Sequence, residues 1–231
     1  MLANALIAVE SGDIKKAMSI LKGVKSESPY FVESRKMLAE IHLNNLKNRK
    51  GYAKCYYEII EAVPTFENFK IYGDGLIKIN EPEEAAIAYE KAYQERNDHE
   101  GIIRDLGRAY ALAHDYEKAT KFYEDNIEKL NRPDLILDLA KLCIQLRRYD
   151  RAEQLLTSEV FAEENGPTDR LKQNVEANLQ LYKLYIKKQG PYDLSMNEKA
   201  RKYIKTAAQL QKIVIEKIRS EGGAAEEERM A

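Results

Sequence analysis

Apolar residues recur at three- and four-residue steps through most of the chain, in stretches separated by short polar segments that carry the prolines and many of the glycines. That spacing predicts amphipathic helices joined by short turns. The stretches repeat. The segment IYGDGLIKINEPEEAAIAYEKAY, from Ile71, aligns with DLGRAYALAHDYEKATKFYEDNI, from Asp105, so that Gly73, Ala85 and Tyr89 recur 34 residues later as Gly107, Ala119 and Tyr123. A further copy, LAKLCIQLRRYDRAEQLLTSEV, places Ala140 and Ala152 at the same two small positions. Towards the N-terminus, Ala39 and Ala53 fill them, with about two extra residues expected in the turn around Asn48 to Gly51. Ala5 and Ala17 make a first copy that looks shortened.

A period near 34 accommodates two antiparallel helices and their turns. Glycine inside a helix costs about 1 kcal/mol relative to alanine, so two glycines in phase imply a steric reason. The positions expected to let helices approach closely are Ala39, Gly73, Ala85, Gly107, Ala119, Ala140 and Ala152. Larger residues beside them fill the grooves: Tyr72, Leu76, Leu106, Tyr110, Leu139 and Cys143 on first helices, and Tyr89, Tyr123 and Leu156 on second helices. Pro64, Pro82 and Pro133 fall at turns or first helical positions, and Asp98, Asp115 and Asp150 where caps or turn residues are expected.

The fold class read from this pattern is all-α, a superhelical solenoid of antiparallel helix pairs. About five pairs, the first truncated, occupy residues 1–164. Residues 165–220 depart from the period. A loop, AEENGPTD, ends with Thr168 or Asp169 as a helix cap, and a longer helix follows with Leu171, Val175, Leu179, Tyr182 and Ile186 on one face. Gly190-Pro191 stops it, and a second long helix carries Ala200, Ile204, Ala207, Leu210, Val214 and Ile218. This pair reads as an enlarged repeat or a cap, and residues 221–231 as an acidic flexible tail. The uncapped start at Met1 suggests a stretch of a longer array.

Composition changes this picture little. Basic and acidic residues number 37 and 38, and that balance argues against nucleic acid as a partner. No apolar run approaches the roughly 20 residues that span a bilayer, and the first residues do not read as a signal peptide. Two cysteines, Cys55 and Cys143, suit a reducing compartment.

Candidate chemistry is sparse. His42, His99 and His114 fall one to a repeat, without the clustering that metal sites need, and read as surface or packing residues. Cys55 and Cys143 read as small core residues without an activating partner. Gly73-Asp-Gly75 lacks the strand-to-helix context of a phosphate loop. The carboxylates Glu83, Glu84 and Glu226 to Glu228 suit a solvated helix start and tail. No catalytic residue, cofactor, metal or small-molecule substrate is implied.

Gly107, Tyr110, Ala119 and Tyr123, and nearly as well Gly73, Ala85, Tyr89 and Ala92, resemble the tetratricopeptide repeat, although tryptophan is absent from the position where that repeat often carries it. In such arrays the first helices line a concave binding face. Arg104 and Arg108 share a helix face at i and i+4, and Lys141 stands where Arg108 does one repeat later. These three are the candidates for holding an acidic partner segment. The same place holds Glu40 and Asp74 in the preceding repeats, so the face changes sign, and the carboxylate clamp of chaperone-binding relatives is not matched.

The ordered segments INEPEEAAIAYEKAY, RDLGRAYALAHDYEKATKFYED, LILDLAKLCIQLRRYDRAEQLL and AAQLQKIVIEKI together resemble the C-terminal part of the intraflagellar transport protein 139 family, also called tetratricopeptide repeat protein 21, over roughly Tyr30 to Ile218. The resemblance implies a non-catalytic scaffold subunit of the intraflagellar transport A complex, working beside WD-repeat subunits in retrograde transport, in cytoplasm and cilium or flagellum. It implies no catalytic residues. The alternative reading is a generic peptide-binding adaptor of the co-chaperone kind, outside cilia.

Overall fold

The computed structural model describes residues 1–161, 166–188 and 194–230, with side chains at all of these except 194–197 and 222–230. The described residues form α-helices and short helical turns, with no strand. In chain order the helices are α1 Leu2–Glu10, α2 Ile14–Lys22, α3 Phe31–Glu40, α4 Arg49–Ala62, α5 Phe66–Lys78, α6 Pro82–Glu95, α7 Glu100–Leu112, α8 Tyr116–Leu130, α9 Pro133–Gln145, α10 Tyr149–Leu156, α11 Thr168–Lys188 and α12 Leu194–Met230. Two compact units divide the chain, Met1–Asp115 and Tyr116–Ala231, with the division between α7 and α8. The boundary expected between residues 164 and 165, the start of the AEENGPTD loop and the Gly190-Pro191 stop fall wholly or partly outside the described residues. Helix α12 runs through the acidic segment to Met230.

Each repeat turns from its first to its second helix through one residue in the left-handed region: Gly12, Lys47, Asn80, His114 and Arg147, with φ of 81°, 51°, 63°, 61° and 59°. The next amide then reaches back five residues to close the first helix, Asp13 to Ala8 at 2.8 Å, Glu81 to Leu76 at 2.9 Å, Asp115 to Tyr110 at 3.0 Å and Arg148 to Cys143 at 2.8 Å. This satisfies carbonyls that a helix end otherwise leaves unpaired. Only one of the five left-handed residues is glycine, so the remaining turns hold a side chain in a disfavoured conformation.

The second repeat departs from this geometry. Its first helix ends in a π turn, Ile41–Asn45, and Asn48 N–H reaches back six residues to the His42 carbonyl at 2.8 Å. One residue is thereby inserted before the turn, not two within it. The register of α4 shifts accordingly: Tyr52, only 2% exposed, takes the place equivalent to Ala85, and Ala53 is merely half-buried. Two glycines of α5 make room for bulk on either side. A Cβ at Gly73 would lie 2.4 Å from the Tyr89 ring of α6, and one at Gly75 would lie 3.3 Å from the Tyr52 ring of α4. The Gly-Asp-Gly segment is thus a two-sided packing element.

The positions expected to sit at helix crossings, Ala39, Gly73, Ala85, Gly107, Ala119, Ala140 and Ala152, are all buried. Their larger neighbours are buried too, except the half-buried Tyr72. Pro82 and Pro133 open α6 and α9, where a missing N–H costs nothing.

In the second unit α11 and α12 pack through Leu171, Val175, Ala207, Leu210 and Val214, and the rings of Tyr185 and Tyr203 stack 5.5 Å apart. The buried stripe of α11 is Leu171, Asn174, Val175, Ala177, Gln180, Leu181, Leu184 and Tyr185. Ile186, Ile204 and Ile218 are exposed, and Leu179 and Tyr182 half-buried. The face expected on α11 steps mostly by four residues and therefore drifts around the helix, whereas the real stripe interleaves threes and fours. Leu171 N–H bonds to the Pro167 carbonyl at 3.0 Å, so Pro167 holds the cap position in place of Thr168 or Asp169.

Candidate protein-binding face

The residue after the small position of each first helix is Glu40, Asp74, Arg108 or Lys141. In the first unit the carboxylates at this place are consumed internally. Glu40 lies 2.8 Å from the Lys78 ammonium of α5 and accepts from the Asn44 amide at 2.9 Å. Asp74 accepts from Lys70 at 3.0 Å and from the Tyr89 hydroxyl at 2.7 Å. Lys70 reaches Asp105 of α7 as well, at 3.2 Å. Burial works against the charge on Lys70, but its hydrogen bonds and proximity to Asp74 and Asp105 prevail and hold its pKa above the usual range. Glu40–Lys78 and Lys70–Asp105 cross between helices and Lys70–Asp74 lies within one, each pair worth at most about 1 kcal/mol at such exposure.

Phenol–carboxylate bonds tie neighbouring helices within each unit. Tyr89 donates to Asp74, Tyr110 donates to Glu90 at 2.7 Å, and Tyr185 donates to Glu153. Burial first, and then the accepting carboxylate, raises the pKa of all three phenols well above the ordinary tyrosine value.

The three cations expected to hold a partner segment differ in their surroundings. Arg104 and Arg108 lie one turn apart on α7 in the first unit. Arg108 is exposed, while Arg104 is half-buried and its Nε has no hydrogen-bond partner among the described residues. Lys141 belongs to the second unit and sits 2.9 Å from Glu176 of α11. Burial would raise the Glu176 pKa, but hydrogen bonds from Lys141 and Gln180 outweigh it and hold the carboxyl below its usual value. Lys141 is therefore engaged within its own unit.

The remaining polar candidates have structural duties. His99, not Asp98, caps α7: its Nδ1 accepts from the Ile102 amide at 3.4 Å. Asp150 lies in the first turn of α10, whose cap position is Arg148. His114 is the left-handed turn residue of its repeat. Cys55 and Cys143 are buried. Burial pushes the Cys55 thiol up to about 11, with Glu58 adding to it, and also pushes Cys143 up, so neither supplies thiolate at neutral pH. Among the described residues no group of three or more His, Cys, Asp or Glu is placed to hold a metal ion, and no helix is long and apolar enough to cross a membrane.

A feature not anticipated from sequence is an aromatic notch of about 380 Å³ where α4, α5 and α6 meet, lined by Tyr57, Phe69, Tyr72 and Ile87 with Lys91 5.5 Å over the Phe69 ring. Tyr57 and Ile87 are 47% and 57% exposed. Exposed tyrosine beside a charged rim is the composition of many protein contact surfaces.

Family comparison adds identity to this geometry. Residues 102–231 match the model described as the fourth ARM domain of tetratricopeptide repeat protein 21, and residues 1–59 match that protein's ARM repeat. Tetratricopeptide repeat protein 21B of Mus musculus is 34% identical over 192 residues, covering 83% of this chain and 15% of the relative. The tetratricopeptide repeat protein 21 homolog of Caenorhabditis elegans is 31% identical over 156 residues, covering 68% of this chain and 12% of that one. The chain thus spans only a small part of the relatives it matches. Among solved structures, a tetratricopeptide repeat protein from Parabacteroides merdae superposes with a TM-score of 0.52 at 14% identity, over 93% of this chain and 94% of its own. MamA does so at 0.53 and 14%, over 78% of this chain and 97% of its own. At such identities these two speak for the repeat fold alone.

Proposed function

Because the chain belongs to the tetratricopeptide repeat protein 21 family, we propose that it is a non-catalytic scaffold segment of the intraflagellar transport A complex. It holds neighbouring subunits, WD-repeat subunits among them, during retrograde transport in the cilium or flagellum. The observation that carries this reading is the family match over residues 102–231, joined by relatives at 30–36% identity. The physical construction is compatible with it. Side chains of the first helices are spent on cross-helix pairs that stiffen the array, leaving contact surface such as the aromatic notch for partners. Arg104 and Arg108 are the cations of α7 proposed to meet an acidic partner segment.

Cross-linking mass spectrometry on the native assembly from ciliated cells tests this. Cross-links from this chain to intraflagellar transport A subunits are expected. A tagged chain that stays outside cilia and recovers chaperones instead would replace this reading with that of a soluble peptide adaptor.

A further inference from the structure

One cavity of the first unit collects cations with little acid to meet them. About 690 Å³ in volume, it lies among the end of α2, the helix α3 with its π turn, and the first turns of α4. Lys22, Arg35, Lys50 and Lys54 line it with His42, and Glu58 is the one carboxylate in the lining. Glu58 is already committed, 2.8 Å from Arg35 Nε. Arg35 is itself fixed: its terminal nitrogens donate to the Leu21 and Val24 carbonyls at 2.9 and 3.3 Å, and its guanidinium lies 4.6 Å over the Phe31 ring. Lys22, Lys50 and Lys54 make no ion pair among the described residues.

The inserted residue of the second repeat shapes this cavity. The π turn presents His42 to the start of α4, where its ring lies so close over Gly51 that a Cβ there would stand 2.4 Å from Nδ1. That nitrogen is buried and has no hydrogen-bond partner among the described residues. Asn48 caps α4 by accepting from Gly51 N–H at 2.9 Å. The amides of Arg49 and Lys50, in the first turn, have no intrahelical acceptor, and they add the positive end of the helix dipole to the same wall.

We infer that this cavity binds a phosphate-bearing side chain of a partner protein. Three lysines without ion pairs and a helix N-terminus line one cavity, beside a guanidinium that Glu58 already answers. A carboxylate would answer one of those lysines, whereas a phosphate monoester brings about −1.5 to −2 charge and three acceptor oxygens. One feature favours a peptide over a charged bilayer surface. A second recess of about 570 Å³ adjoins the cavity, shares Lys22, Arg35 and Glu58 with it, and adds Val24, Phe31 and Ala62, apolar footing for residues flanking the phosphate. Its rim also holds Lys25 and Glu61. The inference does not depend on which assembly the chain serves.

The test titrates the whole chain with a short phosphoserine peptide carrying a neighbouring phenylalanine, with its unphosphorylated form, with inorganic phosphate, and with phosphoinositide vesicles. Binding is followed by calorimetry and by amide NMR at Gly51 and Lys54. The phosphopeptide is expected to bind at least about tenfold more tightly than the unphosphorylated peptide, shifting the Gly51 resonance. Lys22→Glu with Lys54→Glu is expected to abolish that preference. The pair Lys22→Arg and Lys54→Arg is expected to keep it, and circular dichroism to show all variants folded. Equal binding of both peptides, an unaffected Lys-to-Glu variant, or binding of vesicles alone would each overturn the assignment.

Discussion

Substituting Gly73 by alanine isolates the close approach on which the third repeat depends. Helix propensity alone favours alanine by about 1 kcal/mol. Against that, the added methyl would stand 2.4, 2.6 and 2.8 Å from three carbons of the Tyr89 ring, which is 3% exposed and hydrogen-bonded through its hydroxyl to Asp74. Ordinary contact needs roughly 3.5–4.0 Å, so the ring or helix α6 must retreat by more than 1 Å. Overpacking of this kind costs about 1–3 kcal/mol, and losing the phenol's bond to a carboxylate adds about 1 kcal/mol. The net expectation is a loss of about 1–3 kcal/mol, read as a lower midpoint in urea unfolding followed by circular dichroism. The sign reverses where the ring is absent: in a Tyr89→Ala background, Gly73→Ala is expected to stabilise by up to about 1 kcal/mol. Gly23, where a Cβ would meet only carbonyl oxygens at 3.5 Å, serves as a control with little expected change. If Gly73→Ala destabilises the protein equally with and without Tyr89, the steric account is wrong.

Two other measurements probe the turns and the cationic cavity. Arg147 sits at φ 59°, so Arg147→Gly is expected to leave the melting temperature unchanged or raise it slightly, whereas Arg147→Val should cost about 1–2 kcal/mol, since a β-branched residue tolerates that region worst; a stabilising valine would refute the assignment of strain. His42 has its pKa lowered, first by burial and then by Lys22, against an opposing pull from Glu58. The unfolded chain therefore takes up this proton at higher pH than the folded one, and stability is lost as pH falls from about 6.5 through the lowered folded value. His42→Gln should flatten the stability-versus-pH curve in that window, and an unchanged curve in denaturant titrations would count against it.

The 34-residue period is readable because it rests on size: Ala85 and Ala152 are fully buried on their helices, and sequence records size directly. The register of α4 is not. An extra residue in a π turn changes only chain length, and length does not reveal whether it enters the helix or the turn after it. Ala53 therefore looked like the crossing residue, when Tyr52 is, and Gly75 is the compensation. The histidine cap of α7 was hidden by the stronger capping preference of Asp98 beside it. Cross-helix pairs were in principle visible, since Lys70–Asp105 and Lys141–Glu176 are both separated by 35 positions, a period plus one. The partner of Lys141 has no repeat signature of its own, because Glu176 lies on the longer helix, where the repeat pattern stops. The cationic cavity had no linear signature at all: its members come from three helices and the π turn, and they meet only because that turn carries His42 towards Gly51.

The paired glycines of α5 have a bearing on the order in which this part of the chain takes shape. Two glycines at about 1 kcal/mol each leave the segment Phe66–Lys78 some thirtyfold less helical in isolation than an alanine counterpart. On a ribosome releasing the chain from its N-terminus, this stretch is expected to gain its helical form late, with Tyr52 and Tyr56 available to pack on one flank and Tyr89 emerging to press on the other. Helix α5 is thus a follower in assembly, a keystone set after the stones beside it.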